Sequence, residues 1–195
     1  MDVTEKKSIE DAIRIVIDTV KYIDVLVNGA GILSDRNIEA TINVNLIGLI
    51  NTTMIALPYM DKSQYGRGGL ILNIASALGL EPCPPLAIYS SSKFGVIGFT
   101  RSLSDPFYFK RTGVAITAIC PGMTSTPMVL EKRICDTFDY SKPLTDEFFN
   151  KGVRQSASIC GEHLVEIIEK SENGTLWISD RSELRLVEPK VFWEL

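Results

Sequence analysis

Short β-branched runs alternate along this chain with longer stretches of helical period, and that alternation constrains the fold more than any other feature. Apolar Ile9, Ala12, Ile13, Ile15, Val16 and Val20 recur at helical spacing, which predicts an amphipathic helix over residues 8–22. Directly after it, Ile23-Asp24-Val25-Leu26-Val27-Asn28 runs into Gly29-Ala30-Gly31 and reads as a buried parallel strand. A long helical stretch over 38–60 follows, then Gly66, Gly68 and Gly69, and a second strand over 70–75. A helix over 89–105 precedes a third strand over 114–120, stopped by Pro121-Gly122. A last helix over 158–170 leads through Asn173-Gly174 into a strand over 175–179. Strands alternating with helices of this length make βαβ units and a mainly parallel sheet, so the expected fold class is α/β in one domain over residues 1–195. Residues 127–150 are aromatic and charged without a steady period, and read as a lid over a site.

Composition narrows the partners. A net charge of −4 with no basic stripe argues against nucleic acid and anionic membrane. Residues 1–8 carry no apolar core of a secretory signal, and the apolar stretches are interrupted by polar residues or glycine, so no membrane span is expected. Cys83, Cys120, Cys135 and Cys160 lie far apart, and the chain has 1 His. That pattern argues against a metal site and for a reducing compartment, with the cytoplasm as the expected location.

In open parallel sheets, ligands sit beyond the carboxyl ends of the strands. Asn28, Ser76 and Pro121-Gly122 each close or directly follow a predicted strand, which points to a site there. Tyr89 and Lys93 are four apart on one helix face, where an ammonium would favour the phenolate and bring a poor acid-base group toward neutral pH. That spacing also arises by chance. Ser76 lies 13 residues before Tyr89 and can either share a substrate oxygen with it or cap a turn. Asn45 sits in an apolar helix, where its amide either binds water at a helix irregularity or is satisfied structurally.

Taken together, these residues resemble the short-chain dehydrogenase/reductase family, with its Asn, Ser, Tyr and Lys tetrad. The Tyr-x-x-x-Lys helix reads here Tyr89-Ser90-Ser91-Ser92-Lys93, and the family's Asn-Asn-Ala-Gly appears as Asn28-Gly29-Ala30-Gly31, departing at Gly29. The Pro-Gly turn appears as Pro121-Gly122-Met123-Thr124-Ser125-Thr126. Within the family, Val96-Ile97-Gly98-Phe99-Thr100-Arg101-Ser102 and Asn173-Gly174-Thr175-Leu176-Trp177 are most similar to the insect alcohol dehydrogenases and 15-hydroxyprostaglandin dehydrogenases. Leu86 stands where prostaglandin-oxidising relatives carry Gln, which speaks against a prostaglandin.

The resemblance implies a Rossmann-like doubly wound sheet and hydride transfer between a nicotinamide cofactor, NAD by likeness with NADP open, and a primary or secondary alcohol or its carbonyl. A lipid-like substrate would suit the lid. Tyr89 would be the general base for oxidation, Ser76 would hold the substrate oxygen, Lys93 would lower the Tyr89 pKa and bind the nicotinamide ribose, and Asn45 would hold a relay water. Asp2, Val3, Asn28, Ala30 and Gly31 would line the adenosine side, and Pro121, Gly122, Thr124 and Thr126 the nicotinamide side. Members pair through the helices that carry Asn45 and Tyr89, so a homodimer or homo-oligomer is expected.

The family's opening strand and Gly-rich turn have no counterpart here. The sequence reads as lacking roughly 60 family residues, the first two strands among them. The reading carried forward is a clipped view of a complete enzyme. The alternatives are a catalytically inactive subunit serving as a dimerisation or binding module, and a carrier of a lipid alcohol.

Overall fold

In the computed structural model, which describes residues 1–130, 136–170 and 172–188, the chain forms a five-stranded sheet with helices on both faces. The elements run α1 Lys6–Val20, β1 Val25–Asn28, α2 Ile38–Ile42, a π-helical segment Asn43–Gly48, α3 Leu49–Met60 and β2 Gly69–Ile74. Then come α4 Ala87–Leu103, α5 Pro106–Thr112, β3 Val114–Pro121, β4 Thr124–Ser125 and α6 Pro127–Leu130. The remainder is α7 Lys142–Lys151, β5 Gln155–Ser156, α8 Ala157–Lys170, β6 Leu176–Asp180 and β7 Glu183–Leu186.

The sheet order is β1-β2-β3-β6-β7, parallel throughout except for β7. Period-two alternation along β3 divides the core. Ile116, Ala118 and Cys120 face α3 and α4, whereas Ile119 faces Ile167 of α8. Ile9 and Ile13 of α1 join Ala56, Met60 and Ile71 on the first face. Helices on opposite faces make the sheet doubly wound, as expected.

Several boundaries differ from the sequence reading, for local reasons. Helix α1 ends at Val20 because Lys21 turns left-handed at φ 74° and returns its N–H to the Ile17 carbonyl. Asp105 caps α5 by accepting from the Phe107 N–H, a short helix the sequence reading passed over. Strand β7 was also unforeseen, because its hairpin turn uses Arg181 and Ser182 at φ 51° and 66° instead of the usual Gly or Asn. Gly69 is required by geometry: its φ is +134°, and a Cβ there would strike the Asp24 carbonyl. Ile38–Met60 is long and apolar enough by length and composition to cross a membrane. Here Leu49, Thr53, Ala56 and Met60 bury one side of it in the domain.

A buried polar chain ties the layers together. Asn28 Nδ2 donates to Thr53 Oγ1 (2.9 Å) and Asn73 Oδ1 (2.8 Å), and Asn73 Nδ2 donates to Thr100 Oγ1 (2.9 Å). These groups join α3, β1, β2 and α4, and the two asparagines are register partners across the strands. Asn73→Ala strands an Asn28 N–H and opens a void, so it should cost about 2–4 kcal/mol in urea unfolding. An unchanged urea midpoint would mean that the chain does not fix the layers.

Candidate active site

Strands β1, β2 and β3 end at a cavity of about 890 Å³ whose lining includes Gly31, Ser76, Tyr89, Lys93, Pro121 and Gly122. Thr124 and Thr126 also line it. Five further predicted site residues do not, the buried Asn45 behind Gly31 among them. Asn28 turns its amide into the buried chain between the strands, and Ala30 is exposed at the edge of the loop. Asp2 and Val3 form a turn before α1, in which Asp2 Oδ1 accepts from the Thr4 N–H and hydroxyl. Val3 packs against Gly48, away from the cavity.

Ser76 reconciles its two readings. Its Oγ accepts from the Leu78 N–H (3.1 Å), capping a 3-10 turn, and the same side chain lines the cavity. Tyr89 enters in the first turn of α4, packed among Leu33, Leu78, Leu86, Phe148 and Phe149. Burial pushes its phenol above the ordinary value. The nearby Ser76 hydroxyl pulls part of the way back without forming a well-made hydrogen bond.

Lys93 lies one turn on and is 4% exposed. Its Nζ donates to the Ile74 carbonyl (2.9 Å), its one acceptor among the described residues. Burial pushes the ammonium down to about 8, and the Cys120 thiol beside it acts weakly the other way. Nζ stands 5.7 Å from the centroid of the Tyr89 ring, over its face and not at the hydroxyl. Desolvation dominates at the Tyr89 phenol, and the ammonium is turned toward the Ile74 carbonyl.

Asn45 is wholly buried in the π-helical segment. Oδ1 accepts from the Ile32 N–H (2.8 Å), while Nδ2 donates to the Ile32 carbonyl (2.9 Å) and Ser92 Oγ (3.2 Å). The irregularity expected there is present, but both amide protons are already spent. A Cβ at Gly31 would lie 3.6 Å from Asn45 Oδ1 and 3.8 Å from Lys93 Nζ, so the three groups meet at one point.

The cavity wall is apolar, drawing on Leu33, Leu80, Met123, Phe148, Phe149 and Leu186. Helix α7 supplies the two phenylalanines from the segment read as a lid. Residues 131–135 of that segment, Cys135 included, lie outside the described residues. The sequence reading missed α7 itself. Its signal was charge spacing: Lys142–Asp146 and Glu147–Lys151 pair at i,i+4. Among the described residues no cluster of His, Cys, Asp or Glu could hold a metal ion.

Residues 1–134 match the family model described as short chain dehydrogenase. Alcohol dehydrogenase 1 of Ceratitis capitata is 54% identical over 193 residues, 99% of this chain and 75% of that protein. The alcohol dehydrogenase-related 31 kDa protein of Drosophila melanogaster is 46% identical over 174 residues, 89% of this chain and 63% of that one. The crystal structure of levodione reductase shares the fold at a TM-score of 0.74 and 23% identity, covering 92% of this chain and 73% of that one.

A lysine depressed by burial should titrate visibly. In cofactor-free protein labelled with 13C at lysine Cε, one resonance should titrate near pH 8 and vanish in Lys93→Met. A Lys93 resonance titrating at the ordinary lysine value would mean that water reaches the ammonium.

Proposed function

The chain belongs to the short chain dehydrogenase family and is a nicotinamide-dependent oxidoreductase acting on an alcohol or its carbonyl, and on that premise we propose that its substrate carries a large apolar body and that Tyr89, Ser76, Lys93 and Asn45 conduct the chemistry. One observation carries the reading: a phenol, a serine hydroxyl and a buried ammonium line one apolar cavity at the carboxyl ends of parallel strands.

Tyr89 takes the hydroxyl proton when the alcohol is oxidised and returns it in reduction. Ser76 can donate a hydrogen bond to the same oxygen, and its turn holds it where charge develops. Lys93 fits a nicotinamide ribose, because a buried ammonium with one acceptor keeps two N–H groups to offer. Gly29 and Gly31 leave the cavity wall without side chains on the β1 side, which suits a cofactor lying close to backbone. When bound, the nicotinamide accepts or supplies the hydride; the protein contributes position and electrostatics. Asn45 has one Oδ1 lone pair left for a relay water, together with the loosened backbone of its π segment. Likeness to the insect alcohol dehydrogenases favours NAD over NADP.

The apolar wall favours a lipid-like alcohol, since each buried methylene is worth about 0.8 kcal/mol. Free thiols at Cys83, Cys120 and Cys160 suit the cytoplasm. Exposed Ile47, Met54 and Phe94 on the helices that carry Asn45 and Tyr89 suit pairing with a second copy.

Two outcomes test the reading in one assay. Tyr89→Phe should lose turnover by about 100-fold or more while cofactor binding persists. In a series of alcohols, kcat/KM should climb several-fold with each added pair of methylenes. A Tyr89→Phe enzyme with ordinary turnover would remove the base assignment, and a flat series would remove the lipid-like substrate.

A further inference from the structure

We propose that Asp35 is a positioning residue for Tyr89: it grips the first turn of α4 from outside the helix and fastens that turn both to the β1 loop and to the far side of the lid. The inference rests on the reading of Tyr89 as the base.

A helix begins with N–H groups that have no partner within it. Tyr89 is the third residue of α4, so its own N–H is one of them. Leu86, at the cap position, offers no side-chain acceptor, and a first turn left in that state frays. The missing acceptors come from remote segments. Asp35 Oδ1 accepts from the Tyr89 N–H and Oδ2 from the Ile88 N–H, both at 2.8 Å. Thr137 Oγ1 accepts from the Ala87 N–H (3.0 Å) and donates to Asp35 Oδ2 (2.7 Å). All three N–H groups of the turn are thus held, two of them by one carboxylate.

That carboxylate is 2% exposed and has no cationic partner among the described residues. Its charge is balanced by two backbone N–H groups, a hydroxyl and the positive end of a 17-residue helix. Asp35 lies four residues beyond Gly31 on the loop after β1, and Thr137 lies within the lid segment, ahead of α7. The Thr137 N–H also bonds the Pro85 carbonyl (3.0 Å), and Arg36 pairs with Asp139. Loop, catalytic helix and lid base therefore meet at one buried group. A displacement of about 1 Å at a reacting group can cost on the order of 100-fold in rate. An anchor on the backbone of Tyr89 itself is the shortest route by which such a displacement is prevented.

The test uses Asp35→Ala, Asp35→Asn, Thr137→Val and Tyr89→Phe in the full chain. Turnover, cofactor KM, melting temperature and amide hydrogen exchange are read for each. Asp35→Ala should lower kcat by about 100-fold with cofactor KM changed less than about threefold. It should also speed exchange at Ile88 and Tyr89 while the second half of α4 stays protected. Asp35→Asn keeps one acceptor and should recover part of both signals. It also carries the test should the alanine variant fail to fold. Thr137→Val should act in the same direction and combine less than additively with Asp35→Ala, because both serve one turn. The proposal is overturned if Asp35→Ala exchanges like wild type, if exchange rises along the whole of α4, or if kcat and cofactor KM suffer equally. A fully active Tyr89→Phe would instead overturn the base assignment and leave the exchange result to decide the anchor.

Discussion

Everything at the site depends on the amide–amide hydrogen bond between Asn28 and Asn73. Side chains alternate along a strand, so a slip of one residue would turn both amides to the other face. In register they meet at 2.8 Å, and Thr53 and Thr100 extend the contact to α3 and α4, the two helices on that face. Because Thr100 belongs to α4, the bond that fixes β1 against β2 also sets the height of the helix bearing Tyr89 and Lys93. A buried polar group satisfied at every position admits few alternatives, since any shift strands a donor. The hydrophobic clusters on either face supply stability without this selectivity.

Against that frame the chemistry is assembled from both ends of α4. Its first turn is held by Asp35 and Thr137, and its middle is tied to the sheet through Thr100 and through Lys93 on the Ile74 carbonyl. Burial acts on the two titratable groups in opposite senses, raising the phenol and lowering the ammonium. Burial disfavours the charged form of each group, yet at about 8 the Lys93 ammonium stays protonated at neutral pH while the Tyr89 phenol stays neutral. Ionisation of Tyr89 then has to be drawn out by what enters the site: an alcohol proton to be moved, and acceptors that engage the two remaining N–H groups of Lys93.

Much of this was legible in the sequence. The succession of strands and helices and the parallel sheet follow from alternating periods, and Ser76, Tyr89, Lys93 and Pro121-Gly122 reach one cavity because each sits at a strand end or on one helix face. Asn28, Asp2 and Val3 were assigned to the cofactor from motif position; in the folded chain the Asn28 amide bonds inside the sheet and the Asp2 carboxylate bonds within its own turn. Helix α7 was lost because its amphipathic face looks into the cavity and not onto the core, which blurs the hydrophobic period. Asp35 gave no signal at all, for its partners stand more than 50 residues away and only the folded chain brings a carboxylate to those amides.

The division of labour between elements explains which positions tolerate change. Tyr89, Lys93 and Asn45 stand on helices bound to the sheet by buried hydrogen bonds, so their geometry is set by the rigid part of the molecule. The apolar wall comes instead from Phe148 and Phe149 of α7, which pack at the cavity rim, and from Leu186 of β7, the edge strand of the sheet. Substitutions in that wall alter the shape offered to a substrate without touching the hydrogen bonds that place the phenol. Thr137 is where the two regimes join, since it lies in the lid segment and its hydroxyl bonds the first turn of α4. A change in how the lid packs on its ligand is thereby felt at the backbone of Tyr89, through a single hydroxyl and a single carboxylate.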